Sequence, residues 1–472
     1  SGQPGQPQLL GHDSRIVVDR WCEPHGFRLD AQEGVSGTDE GRAMLELIHD
    51  LAPGASLAFA TAQGGEAVFA QHIRDLANPA MGNCDVIVDD IVYLTEPFFQ
   101  DGLVAQAVND VVTSDGVTYL SAAGNNADNA YETTTISFVE QAITGIGTGW
   151  FFDFDPGEGL DTKQSITLDN NEAFRPVLQW DDPFYTSAID TDLNLYLLDG
   201  SNVVASSTYN NASIQMPLEL FTTPFTNSSG TTKTYDLVIR RSSGTDPGRI
   251  KYVDFGRSAI TIEYDTNSGT MVAHAGAAHA IAVGAAFYGS QDQPESSTSH
   301  GPTTILFNAD GTRKASPEVR DKPDLSAIDR TDTTFFGSGD SEGNGYPNFF
   351  GTSAAAPHAA AVAALMLDAN SALSPAQIAT TLKNTARDMG TSGHDVITGA
   401  GLVDAFEAVY GAPAPVTLPF SEGFESAALS SDWETDSTGP GLVQTTTVST
   451  PHEGTRHIGV SSYDVLGTGM AS

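Results

Sequence analysis

Cysteine, cationic side chains and long apolar runs are all scarce in this sequence. Cys22 and Cys84 are its two cysteines. They allow one disulfide but not a disulfide framework, so the fold has to rest on apolar burial. Lysine and arginine number 21 against 60 aspartates and glutamates, a formal net charge of −39. That deficit of cations argues against binding nucleic acid or an anionic membrane, both of which attract basic surfaces. It fits a soluble, secreted, salt-tolerant or calcium-binding protein. No apolar run is long enough to span a bilayer. No signal peptide stands at Ser1, as expected of a mature form or a fragment.

At 472 residues the chain exceeds one ordinary core and predicts two or three domains. Strand-like stretches near 58–62, 85–91 and 118–124 alternate with helix-like stretches near 41–50, 67–76 and 103–112. That alternation predicts an α/β fold, a parallel sheet with helices on its faces. From about 132 to 266 helical periodicity disappears. Short strands with Gly/Asn turns take over, as in Leu193-Asn194-Leu195-Tyr196-Leu197 and Tyr235-Asp236-Leu237-Val238-Ile239, and read as a β-sandwich. Helical texture returns before Tyr410. Gly411-Ala412-Pro413-Ala414-Pro415 reads as a linker, and the remaining residues as an incomplete β module.

The most informative run is Gly351-Thr352-Ser353-Ala354-Ala355-Ala356-Pro357, leading into an alanine-rich stretch. A glycine turn opening a helix places the Ser353 hydroxyl among free backbone N–H groups, where developing negative charge is favoured. Taken alone, it could be an ordinary capped core helix. Upstream, Leu120-Ser121-Ala122-Ala123-Gly124-Asn125 ends a strand in an asparagine, a neutral donor suited to an oxyanion. The full run around Ser353 resembles the nucleophile motif of subtilisin-like serine peptidases, and Asn125 matches their oxyanion asparagine. Lys322-Pro323-Asp324, Leu373-Ser374-Pro375 and Thr398-Gly399-Ala400-Gly401-Leu402 resemble further segments of that family.

The resemblance breaks at the base. The family's histidine lies at a helix start upstream of a Val-Ala-Pro-x-Ala turn, which here reads Leu51-Ala52-Pro53-Gly54-Ala55. Thirteen residues before Pro53 stands Glu40, followed by Gly41. Sedolisins, the serine-carboxyl peptidases of the same fold, carry glutamate there, which implies that Glu40 does the histidine's work; a bland reading is an acid favoured by the helix dipole. His49 lies nine residues along the same helix. At about 100° per residue it faces away from Glu40. The sedolisin aspartate four residues on is replaced by Met44. Either a first strand carrying an aspartate is lost upstream, with Asp13-Ser14 only a partial match, or another carboxylate substitutes. Asp90, at a strand end, is the candidate, able to share a proton with Glu40. Val92 and Tyr93 replace the family's usual glycine pair, which should narrow the substrate edge.

Together these imply a subtilisin-like α/β fold interrupted by a β-sandwich resembling pre-peptidase C-terminal domains. The expected parts are 1–131 and 267–411 for the peptidase, 132–266 for the insert, and 412–472 for linker and partial module. The implied function is a secreted serine endopeptidase acting on protein or peptide, with catalytic residues Ser353, Glu40, Asn125 and Asp90. It is expected to be monomeric, to need no organic cofactor, and to accept calcium without an evident ligand loop. The rival is an inactive scaffold or binding protein on the same fold.

Overall fold

The computed structural model describes residues 39–256 and 260–411, with isolated strands Arg15–Asp19, Leu442–Thr446 and His457–Ser461. Cys22, Asp13 and Ser14 lie outside the described residues, as does the segment around Phe420–Phe424. Residues Ser1–Gly411 form one compact unit and Ala412–Ser472 another. In the latter, Leu442–Thr446 pairs antiparallel with His457–Ser461.

The central sheet uses β1 (Arg15–Asp19), β2 (Leu57–Thr61), β3 (Val86–Asp89), β4 (Thr118–Ala122), β5 (Ile281–Phe287) and β6 (Leu325–Asp329). Their order is β2-β1-β3-β4-β5-β6. The steps from β3 to β6 are parallel, whereas β1 runs antiparallel to both its neighbours. Helices α1 (Glu40–Leu51), α2 (Glu66–Ala77), α3 (Leu103–Asp110), α4 (Thr352–Ala369), α5 (Pro375–Asn384) and α6 (Ala405–Tyr410) cover the two faces.

The alternation of β3 separates these layers. Val86 and Val88 pack with Met44 of α1 and the alanines of α4. Ile87 packs with Phe69 and Ile73 of α2 and Val104 of α3. With a period of two, Asp89 continues toward α2 and Asp90 toward α1 and α4. Helix α4 is buried nearly all round. Ala354, Ala355, Ala356, Ala359, Ala360 and Ala361 have no exposed surface, and residues this small let the helix backbone lie close beneath the strands. Helix α5 starts with a capping box, in which Ser374 accepts the Gln377 N–H and Gln377 accepts the Ser374 N–H.

From Ala130 to Ile262 the strands pair among themselves in two antiparallel sheets and a short pair. One sheet carries Ala130–Thr133, Pro176–Trp180, Leu218–Leu220 and Ile250–Asp254. The other includes Asp192–Asp199, Asn202–Ser207 and Lys233–Ser243. Trp180 and Tyr252 of the first share an apolar core with Leu193, Leu195 and Leu237 of the second. A different cluster joins this insert to the α/β body: Val177, Leu218 and Val253 pack with Phe98, Val272 and Phe307. Gln179 adds polar ties, accepting the Phe98 N–H and donating to the Glu96 carbonyl, both at 2.8 Å.

Candidate active site

Ser353 is the second residue of α4, whose N-cap is Gly351. Gly351 sits at φ 84°, and a Cβ there would come within 2.8 Å of the Asn125 side-chain oxygen, so only glycine fits without displacement. Its N–H donates to Asp329 Oδ2 at 2.7 Å. Burial, opposed by that bond, pushes the Asp329 pKa up to about 7. Pro357 is the sixth helical residue and not a first-turn residue. It therefore removes a bond that would have used the Ser353 carbonyl.

Thr352 fixes the Asn125 side chain. Its backbone N–H and Oγ1 approach one Asn125 side-chain atom at 3.0 and 3.2 Å. A backbone N–H can only donate, so that atom is the amide oxygen, which leaves the NH2 outside this contact. Thr352 Oγ1 also accepts the Gly124 N–H at 3.2 Å. Asn125 and Ser353 share one small cavity, with Asp90 in its lining.

Asp90 follows β3 directly and meets both Glu40 and Ser353. Burial first, then the Glu40 carboxyl, push its pKa well above the ordinary carboxylate range; the Ser353 hydroxyl opposes the shift. Both Asp90 oxygens are shielded from solvent and have no well-aligned donor. The adjoining Glu40 is another carboxyl, which can bond to Asp90 only when one of the two holds a proton. Glu40 opens α1 and is half-buried. Among the described residues no hydrogen bond joins Glu40 directly to Ser353; Asp90 is the carboxyl in contact with each. Met44 has no exposed surface and belongs to the core.

Residues 242–401 match the model of the subtilase family, Peptidase_S8. This segment is similar to subtilases. Among curated proteins, alkaline elastase YaB of Bacillus sp. (strain YaB) is 49% identical over 63 residues, 13% of this chain and 16% of that protein. The extracellular serine protease of Serratia marcescens is 42% identical over 67 residues, 14% of this chain and 6% of that protein. The chain thus spans a small part of either relative. Among solved structures, the Clostridium perfringens CspB protease aligns with a TM-score of 0.42 at 13% identity, covering 72% of this chain and 68% of that one.

Among the described residues, no histidine hydrogen-bonds to Ser353. His49 is exposed. His72 Nδ1 meets the Thr61 carbonyl, and His358 Nδ1 the Ala354 carbonyl, each at 2.7 Å. The cavity beside Ser353 is walled by Ile91 and Val92 of one segment and by Val272, Ala273 and Ala275 of another. Tyr93 turns away from it; its hydroxyl donates to the Ala62 carbonyl. Of the expected pair Val92 and Tyr93, Val92 alone lines the cavity. No group of three or more His, Cys, Asp or Glu suited to a metal occurs among the described residues.

Sequence reasoning missed Thr352 as the residue that orients Asn125, Asp329 as the support of Gly351, and a buried Asp89–His274–Glu96 chain behind the cavity. His274 lies in Ala273-His274-Ala275-Gly276, which offers no periodic or motif signal. Only the tertiary fold brings it to Asp89, 185 residues away in sequence.

Proposed function

We propose that this chain is a serine endopeptidase of the serine-carboxyl type, secreted and acting on protein or peptide. The observation that carries the reading is the meeting of Ser353, Asp90 and Glu40 at a cavity that Asn125 also lines. The Ser353 oxygen attacks the scissile carbonyl carbon while its proton passes to the Glu40–Asp90 pair, which acts as one base. Glu40, the base implied by the resemblance, works through Asp90, the carboxyl facing the serine. The tetrahedral oxyanion takes hydrogen bonds from Asn125 Nδ2 and the Ser353 N–H, one of the free donors at the start of α4. The pair returns the proton to the leaving amine nitrogen as the C–N bond breaks. Water then cleaves the acyl ester by the same steps.

The family match at 242–401 and the relatives named as proteases support this reading. Secretion draws on the acidity and on the relative named as extracellular; no described helix is long and apolar enough to cross a membrane. The paired antiparallel sheets from 130 to 262 are read as the pre-peptidase-like insert. The scheme draws on no organic cofactor.

A fluorophosphonate probe tests it. Ser353 should be labelled in the native chain, and Ser353→Ala should abolish labelling. A folded native chain that neither labels nor cleaves peptides would identify a subtilase-fold binding protein instead.

A further inference from the structure

Behind the cavity a row of charged side chains is sealed from solvent. His274 has no exposed surface, nor has Asp89, and Glu96 has almost none. His274 Nε2 lies 3.1 Å from Asp89 Oδ1, and Nδ1 lies 2.9 and 3.0 Å from the two Glu96 oxygens. Asp89 is otherwise filled, accepting from Tyr119 Oη at 2.5 Å, Ser121 Oγ at 3.0 Å and the Ile91 N–H at 3.1 Å. A neutral imidazole has one N–H donor, yet both ring nitrogens face carboxylates, so the arrangement calls for the doubly protonated ring. The two carboxylates outweigh burial and hold the His274 pKa well above its usual value. The other groups facing this row are the Phe69 ring against His274 and, beyond Glu96, Tyr93 and Glu66.

Each end of the row reaches a cavity wall. Glu96 accepts the Tyr93 N–H at 3.1 Å, fixing the loop after β3 that carries Ile91 and Val92. The same carboxylate accepts the His274 backbone N–H at 3.1 Å, fixing a second lining segment, Val272, Ala273 and Ala275. Asp89 accepts the Ile91 N–H, so the His274–Asp89 contact also ties His274 to the segment that carries Ile91 and Val92. Ala273 sits at φ 64°, in the left-handed region that a side chain avoids, so its shape is imposed by what surrounds it. The insert enters through Gln179, which binds the Glu96 carbonyl, and Tyr185, which donates to Glu66 at 3.1 Å.

We propose that His274 and Glu96 form a buried clamp that holds the two walls of the cavity beside Ser353 at a fixed separation. His274 is then a positioning residue that restricts the substrate residue before the scissile bond to small side chains. The assignment rests on the reading of Ser353 as the acylating nucleophile. A clamp differs from a simple core contact in what its loss changes. The walls loosen, large side chains gain entry, and small ones lose their fit, while the serine chemistry is left in place.

The experiment compares the full-length native chain with His274→Gln and Glu96→Gln, the latter keeping an acceptor for the Tyr93 and His274 N–H groups. Three readouts are taken: fluorophosphonate labelling rate, kcat and KM for peptides with Ala or Phe before the cleaved bond, and NMR of the His274 ring in the native chain. Labelling should stay near native. The Ala-over-Phe preference in kcat/KM should fall about tenfold, chiefly through a higher KM for the Ala peptide. Native preference in a folded variant overturns the clamp, as does loss of labelling together with turnover. Should His274→Gln fail to fold, Glu96→Gln carries the same comparison. A native chain that neither labels nor cleaves defeats the peptidase reading separately. The clamp is then judged by NMR: two ring N–H protons on His274 at pH 8 support it, and one overturns it.

Discussion

At the residue scale, the carboxyl pair makes the sharpest predictions. Glu40→Gln should lower kcat by about 10²–10⁴-fold with the fold intact, the loss expected when a general base is removed. Near-native peptide hydrolysis by that variant would reduce Glu40 to a helix-start acid. Asp90→Asn should lose activity similarly but gain stability at neutral pH. The sign follows from linkage: the folded-state pKa of Asp90 is raised, so the native state holds the proton more tightly than the unfolded chain. Stability then falls as pH climbs above the ordinary carboxylate value. Asparagine removes that dependence, and a melting temperature at pH 7 below that of the native protein would contradict it. Asn125→Asp should confine activity to acid, because an aspartate can donate to the oxyanion only while protonated; an unchanged pH–rate profile would count against Asn125 as the donor. Ser353 and Asn125 were legible in sequence because short motifs surround them. Asp90 was legible only as a strand-end acid. Its contact with Ser353 depends on which face of β3 its side chain takes, and hence on a strand boundary that sequence fixes to within a few residues.

At the scale of elements, periodicity found α1, α2, β2 and β4 close to their observed spans. It did not find β1, a five-residue strand next to Gly/Pro-rich sequence, nor could it tell that β1 runs antiparallel to its neighbours, since pairing direction leaves no local pattern. Buried polar groups are likewise hidden within strands. Glu219, in the strand Leu218–Leu220, has no exposed surface. It accepts from the Tyr209 N–H at 2.9 Å and from Asn211 Nδ2 at 3.3 Å. Burial nevertheless pushes its pKa up to about 8 from an ordinary 4.5. A raised acid is protonated in the folded state and ionised in the unfolded chain across that interval. Its contribution to stability is therefore present below pH 4.5 and is lost as pH rises through 8. Glu219→Gln should flatten the decline in denaturation midpoint over that window. A variant whose midpoint declines as steeply as the native protein's would place the pH dependence elsewhere.

For the whole molecule, the change of texture near residue 132 marks a change in kind of secondary structure but says nothing of how the parts adhere. Sequence alone suggests an insert that emerges from the peptidase body as a separate module. In the fold, the apolar cluster around Val177, Leu218 and Val253 includes Phe98, Val272 and Phe307 of the body, and Gln179 pins the loop that carries Glu96. Two modules sharing a core lose it together, so the insert and the central sheet should open as one cooperative unit. Leu218→Ala tests this at a buried position on the insert side. Truncating such a leucine costs about 2–5 kcal/mol. Native-state hydrogen exchange should register that loss not only in Pro176–Trp180 and Ile250–Asp254 but also in β4, which ends next to the loop carrying Asn125. If the insert were an independent domain, protection in β4 would stay at its native level while the insert strands alone exchanged faster. The cooperative result would also explain how residues so far from Ser353 in sequence hold a wall of its cavity in place.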